Sequence, residues 1–145
     1  MGAATKYDTD FYGWAMEQAD LLKHGQVGAL DLENLIEEIE SMGKSQANQL
    51  HNRLELLLMH LLKWQYQPNF QGSSWQRTIN EQRRRIAKHI SKNPSLKAKL
   101  DETYLDAYDD ARNSAVLETG LNLATFPEEC PWTFEQAMNA EFWPE

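Results

Sequence analysis

The stretch "LLLMHLLKWQYQP" at residues 56–68 is the most apolar part of the chain. Leu54, Leu57, Leu61 and Trp64 recur at helical spacing, and Leu56, Leu58, Met59 and Leu62 fill the rest of the circumference. A helix that is apolar nearly all round is covered on most sides, so this one belongs at the centre of a helical domain, with Pro68 ending it. The run from Leu54 to Trp64 is about half the roughly 20 residues that a membrane-spanning helix needs, and Glu55, His60 and Lys63 interrupt it. Lys63 and His60 call for an account. Lys63 can lay its aliphatic stem along the core and carry its ammonium to water. His60 falls at the edge of the stripe, either as a hydrogen-bonded core histidine joining helices or as part of a site.

Upstream, Leu32, Leu35, Ile36, Ile39, Met42 and Leu50 continue the same stripe, which predicts one long helix from an N-cap at Asp31 to about Tyr66. A first helix begins after Asp8 or Thr9, turns Phe11, Trp14, Ala15, Gln18 and Leu22 to one side and stops at Gly25. A third starts at Ser73 or Ser74, points Trp75, Ile79, Ile86 and Ile90 inward and ends by Asn93-Pro94. A fourth, capped by Asn93 or Ser95, carries Leu96, Leu100, Tyr104, Ala107, Ala111 and Ser114 on its inner face to Gly120. The tail has room for a short helix capped by Thr133, and its prolines and tryptophans pack it back on the bundle. The expectation is an all-α fold, a bundle of three long helices with a short N-terminal and a short C-terminal helix. Residues 1–145 form one domain in this reading, with 1–7 loose and 121–145 packed on the bundle.

Composition narrows the function classes. The chain has 145 residues, a formal net charge of −8 and a sequence pI near 5.0, which disfavours non-specific binding to nucleic acid or to an anionic membrane surface. A single cysteine, Cys130, excludes an internal disulfide and every multi-cysteine zinc motif, and it fits a reducing compartment, the cytoplasm. The N-terminus "MGAATKYDTD" lacks the apolar segment of a secretory leader, and Lys6 stands where myristoylation needs Ser or Thr.

Few motifs carry chemistry. "MGKS" at 42–45 resembles the end of a phosphate-binding loop, but Glu38 stands in the place of its first glycine and the segment lies inside a helix. No histidine has a glutamate three residues before it, so the Glu-x-x-His pair of di-iron bundles is absent, as is HExxH. His51 and Glu55 share a helix face and read as a solvated pair. No metal and no cofactor is assigned. The run "QRRRIAKH" at 82–89 reads as cations bridging to acidic neighbouring helices, among them the column Glu102, Asp106 and Asp109. Gln82 stands out: its helical angle puts an amide in the middle of the third helix's apolar stripe, where it must find partners or cost on the order of 1–3 kcal/mol. Counting residues along a helical hairpin places Gln82 and Arg83, and then Asp110 of the fourth helix, level with His60.

Taken together, "DFYGWAMEQADLL", "DLENLIEEIESMGKS", "LLLMHLLKWQYQP", "SWQRTINEQRRRI", "NPSL", "AYDDARNSAVLETG" and "FPEECPW" resemble, in order and over almost the whole chain, the bacterial family catalogued as domain of unknown function 29, frequent in cyanobacteria. The resemblance implies an all-helical fold and a small cytosolic bacterial protein. It brings no activity, cofactor or catalytic residue.

Three function classes follow. The first is a non-enzymatic module that binds a protein partner, of a regulatory or toxin-neutralising kind, with Gln82, Arg83, Lys63 and Trp64 as candidate binding residues. The second is a small helical hydrolase or nuclease with His60 and Asp110 or Glu118 as acid and base and Arg83 holding an anion. The third is RNA or DNA binding through Arg77, Arg84 and Lys88, which the acidic composition disfavours.

Overall fold

A computed structural model describes residues 6–145. Among these the chain is all-α, with six helices: α1 Lys6–Thr9, α2 Phe11–Lys23, α3 Leu32–Tyr66, α4 Ser73–Lys92, α5 Leu100–Thr119 and α6 Phe134–Met138. The expected looseness of residues 1–7 falls, for 1–5, outside the described residues, whereas Lys6 and Tyr7 are helical. No described helix is long and apolar enough to cross a membrane. The chain divides into two compact units, Met1–Ser45 and Gln46–Glu145, with α3 contributing to both.

The larger unit holds the core. Leu54, Leu57, Leu58, Leu61 and Leu62 of α3 are fully buried with Ile79 and Ile86 of α4, Ala107, Ala111 and Ala115 of α5, and Phe126. The small α5 residues let that helix approach α3 closely, and Gly120, at φ 73°, ends it in the left-handed conformation that favours glycine. The fourth long segment differs at its start from the sequence expectation. Pro94–Lys99 is a 3-10 turn and α5 begins at Leu100, because Pro94 and the residues after it wind more tightly before the α-helical ladder is established. The tail helix α6 has the expected Thr133 cap. The Thr133 hydroxyl accepts from the Gln136 N–H while the Gln136 side chain accepts from the Thr133 N–H, a reciprocal capping box. Tyr104 donates to the Trp132 carbonyl at 3.0 Å and Tyr108 to that of Pro127, so buried tyrosines fasten the tail to α5.

The smaller unit is built differently. Helix α2 starts at Asp10, whose side chain accepts from the Gly13 N–H, and its end is followed by Gly25 at φ 68°. Only Trp14 and Gln18 are buried, and both lock onto the start of α3. The Trp14 Nε1–H donates to the Asp31 carboxylate at 3.0 Å, while the Asp31 N–H donates to the Gln18 Oε1 at 2.8 Å. Hydrogen bonds from Asn34 and then from Trp14 hold the Asp31 carboxyl below the usual carboxylate range. Tyr7 donates to Glu38, and this bond raises the phenol to about 12.

Candidate functional site

The third-helix oddity is real in position. Gln82 is buried, and its Oε1 accepts from the Arg53 guanidinium at 3.4 Å. With Gln49, Asn52, Arg53 and Leu56 it lines an open cleft of about 310 Å³. Arg53 had no role in the sequence reading, and only the pairing of α3 with α4 reveals it.

The expected network of His60, Gln82 and Asp110 does not form. His60 is half-buried, and its Nδ1 pairs with the Leu56 carbonyl one turn back at 2.9 Å. Burial holds its imidazole pKa below the ordinary value, opposed by that bond; Lys63 lowers it further and Glu118 raises it. Asp110 instead meets His51, at 2.7 Å from Nε2 to Oδ2. Glu118, the other candidate acid or base, falls by spacing on the inner face of α5 but is exposed, and it reaches His60 only through its charge. His60, Asp110 and Glu118 therefore do not assemble into an acid–base cluster. Register explains the error. His51 pairs with Asp110 and Glu55 with Ser114, both across 59 residues, so the level of α5 opposite His60 is Thr119. Asp110 sits about two and a half turns away.

Arg83 is not a bridge to acidic helices. It is buried and donates from Nε to the Ala137 carbonyl and from Nη2 to that of Phe142, each at 2.7 Å. Its guanidinium lies 5.2 Å from the Trp143 ring centroid, and its Nη1 is buried with no hydrogen-bond partner among the described residues. Desolvation lowers its pKa. Trp64, buried, packs against Trp143 at 4.7 Å between centroids, and Lys63 places its ammonium 4.7 Å from the Trp75 ring centroid. These candidate binding residues thus hold helices and tail together. Along α4, Arg85 pairs with Glu81 of its own helix at 2.8 Å, and Arg84 reaches the same carboxylate at 4.0 Å. Arg77, Arg84 and Lys88 are exposed; Arg53, Arg85, Lys88, His89 and Lys92 line a shallow depression of about 120 Å³.

Two further features were not foreseen. His51 and Glu55 are half-buried rather than fully solvated, and Asp110 joins them from α5. The second feature lies in the smaller unit. Leu32, Ile36, Ile39 and Met42, read from spacing as core, are 57, 56, 62 and 62% exposed. They occupy one face of α3, and Glu33, Glu37 and Glu40 form a column beside them. Nine of the thirteen exposed large hydrophobic residues among those described lie between Phe11 and Met42. The same unit carries nine carboxylates against Lys6, Lys23 and Lys44, a net of −6 out of the chain's −8. The acidic residues flanking the stripe were the available signal.

The chain belongs to the family described as Domain of unknown function DUF29, whose match covers residues 6–143. No curated protein and no solved structure matches it.

Proposed function

We propose that the protein is a non-enzymatic helical adaptor whose N-terminal unit docks a cationic amphipathic helix of a protein partner, in a reducing compartment such as the bacterial cytoplasm. The observation that carries this reading is the exposed stripe Leu32, Ile36, Ile39 and Met42 with its adjoining column Glu33, Glu37 and Glu40. An amphipathic helix recognises its partner through apolar anchors at i, i+4 and i+7, and flanking charges select the sign of the partner. A unit with a net charge of −6 selects lysine and arginine beside the anchors. It repels a second copy of itself and an anionic lipid surface for the same reason. A lone cysteine supports the reducing compartment.

The test uses two designed helical peptides with the same leucine stripe, one bearing lysine and the other glutamate on its flanks. Calorimetry should show salt-sensitive binding of the lysine peptide and none of the glutamate peptide. Ile39→Asp should weaken the lysine peptide at least tenfold, about 1.4 kcal/mol. Equal binding of both peptides, indifference to Ile39→Asp, or a dimer in sedimentation that buries the stripe would sink the reading.

A further inference from the structure

Each of two neighbouring helices in the larger unit presents a pair of ligand-type residues one turn apart. On α3 these are His51 and Glu55; on α5 they are Asp110 and Ser114. Their hydrogen bonds run in one register: His51 Nε2 lies 2.7 Å from Asp110 Oδ2, and the Ser114 hydroxyl donates to Glu55 Oε2 at 2.9 Å. That bond leaves Glu55 Oε1 facing the imidazole, 3.8 Å from the same Nε2. One nitrogen and one carboxylate oxygen from successive turns of α3 thus converge with a carboxylate oxygen from α5, the three ligand atoms all within 4.8 Å of one another.

We propose that His51, Glu55 and Asp110 form a binding site for a divalent transition cation of the Zn²⁺ or Co²⁺ kind. Metal–ligand bonds of about 2.0–2.2 Å put neighbouring ligand atoms about 3.4 Å apart around a tetrahedral ion. The distances of 2.7 and 3.8 Å from the imidazole nitrogen to the two carboxylates bracket that spacing. The remaining adjustment falls on Asp110, whose side chain is 57% exposed and so has room to shift. The donor set selects the ion class. An imidazole nitrogen favours zinc, cobalt or nickel over magnesium and calcium, which take oxygen ligands. Ser114 plays the orienting part usual behind a metal-bound carboxylate, fixing which oxygen of Glu55 turns inward. Without an ion, Nε2–H donates to Asp110. With an ion, the Nε2 lone pair is the ligand, so the neutral ring carries its proton on Nδ1. Three protein ligands leave the remaining positions to water, as at open zinc sites. The ion would tie α3 to α5 at a level remote from His60.

The experiment is a titration of tag-free, chelator-treated protein with ZnCl₂ by calorimetry and thermal unfolding, repeated with CoCl₂ for its visible d–d bands. A dissociation constant on the order of 1–100 µM is expected, with Tm raised by about 5 °C or more at a hundredfold excess over that constant. His51→Ala and Asp110→Asn should each abolish the heat, the shift and the bands. Asp110 is exposed, so its variant keeps the fold even if the first does not. His24→Ala, at the exposed Asp20–His24 pair, should change nothing. The proposal is overturned if the wild-type chain gives no shift, if either site variant binds as the wild type does, or if CaCl₂ and MgCl₂ act as well as zinc, which would mark a mere acidic surface.

Discussion

Helix α3 runs through two regions that share a sequence pattern and differ in what surrounds them. From Leu50 to Trp64 its apolar positions other than the half-buried Leu56 are buried, with Leu54, Leu57, Leu58, Leu61 and Leu62 at 0% exposure. From Leu32 to Met42 the same periodicity faces solvent. Periodicity reports which side of a helix is apolar; it does not report what covers that side. The first unit holds itself together through Asp31, to which Trp14 donates and which itself donates to Gln18, and through the ring contacts of Tyr7, Phe11 and Trp14, rather than through an extended aliphatic core. A unit so built can leave a hydrophobic face for another molecule, while the second unit has already spent its faces on itself.

The strongest way to break this comparison is a matched pair of truncations. Leu57→Ala should cost about 2–5 kcal/mol in a urea titration, the usual range for a large aliphatic in a packed core, whereas Ile36→Ala should stay within about 0.5 kcal/mol. Equal losses would show that the N-terminal stripe is covered. An intermediate effect is expected at the join of tail and bundle. Arg83→Met leaves the carbonyls of Ala137 and Phe142 without their donor and should cost about 1.5–3 kcal/mol, with faster amide exchange confined to residues 134–143. Unchanged exchange there would show that the aromatic contacts hold the tail alone.

The smallest effect concerns His60. Its folded pKa is depressed, so between the ordinary imidazole value of about 6.5 and the lowered value the unfolded chain binds a proton that the folded chain does not. The stability present above that window is lost as pH falls through it. His60→Gln should flatten this part of the stability profile relative to wild type. Parallel profiles would mean that His60 titrates alike in both states.

Helix ends, caps and the inward turn of Gln82 were legible in the sequence; the levels of neighbouring helices, the exposure of Glu118 and the open stripe from Leu32 to Met42 were not. Gln82 is inward as its spacing required, the Thr133 cap and the Gly120 stop are where turn chemistry puts them, and the ends of α4 agree with the sequence. All of these depend on local geometry alone. The neighbours of His60 depended instead on counting across connections. Helices α3 and α4 are joined through a 3-10 turn at Pro68–Phe70, and α4 and α5 through another at Pro94–Lys99, so residue counts do not convert into a common height. Arg53 came level with Gln82, and His51 with Asp110, as a result. Arg83 was misread for another reason. A cation beside an acidic helix suggests a carboxylate partner, but burial favoured backbone carbonyls, which accept from a guanidinium without adding a second buried charge.

The guanidinium of Arg83 also sets a schedule for synthesis. Its second carbonyl partner, Phe142, follows it by 59 residues in the chain. At translation rates of roughly 5–20 residues per second, that separation amounts to roughly 3–12 s. When Arg83 is made, neither Ala137 nor Phe142, whose carbonyls it will donate to, is yet in the chain. Until Ala137, Phe142 and Trp143 are made, Arg83 lacks both of its carbonyl acceptors and Trp64 lacks its ring partner. The larger unit therefore closes on its tail, which supplies the acceptors for a cation placed 59 residues earlier.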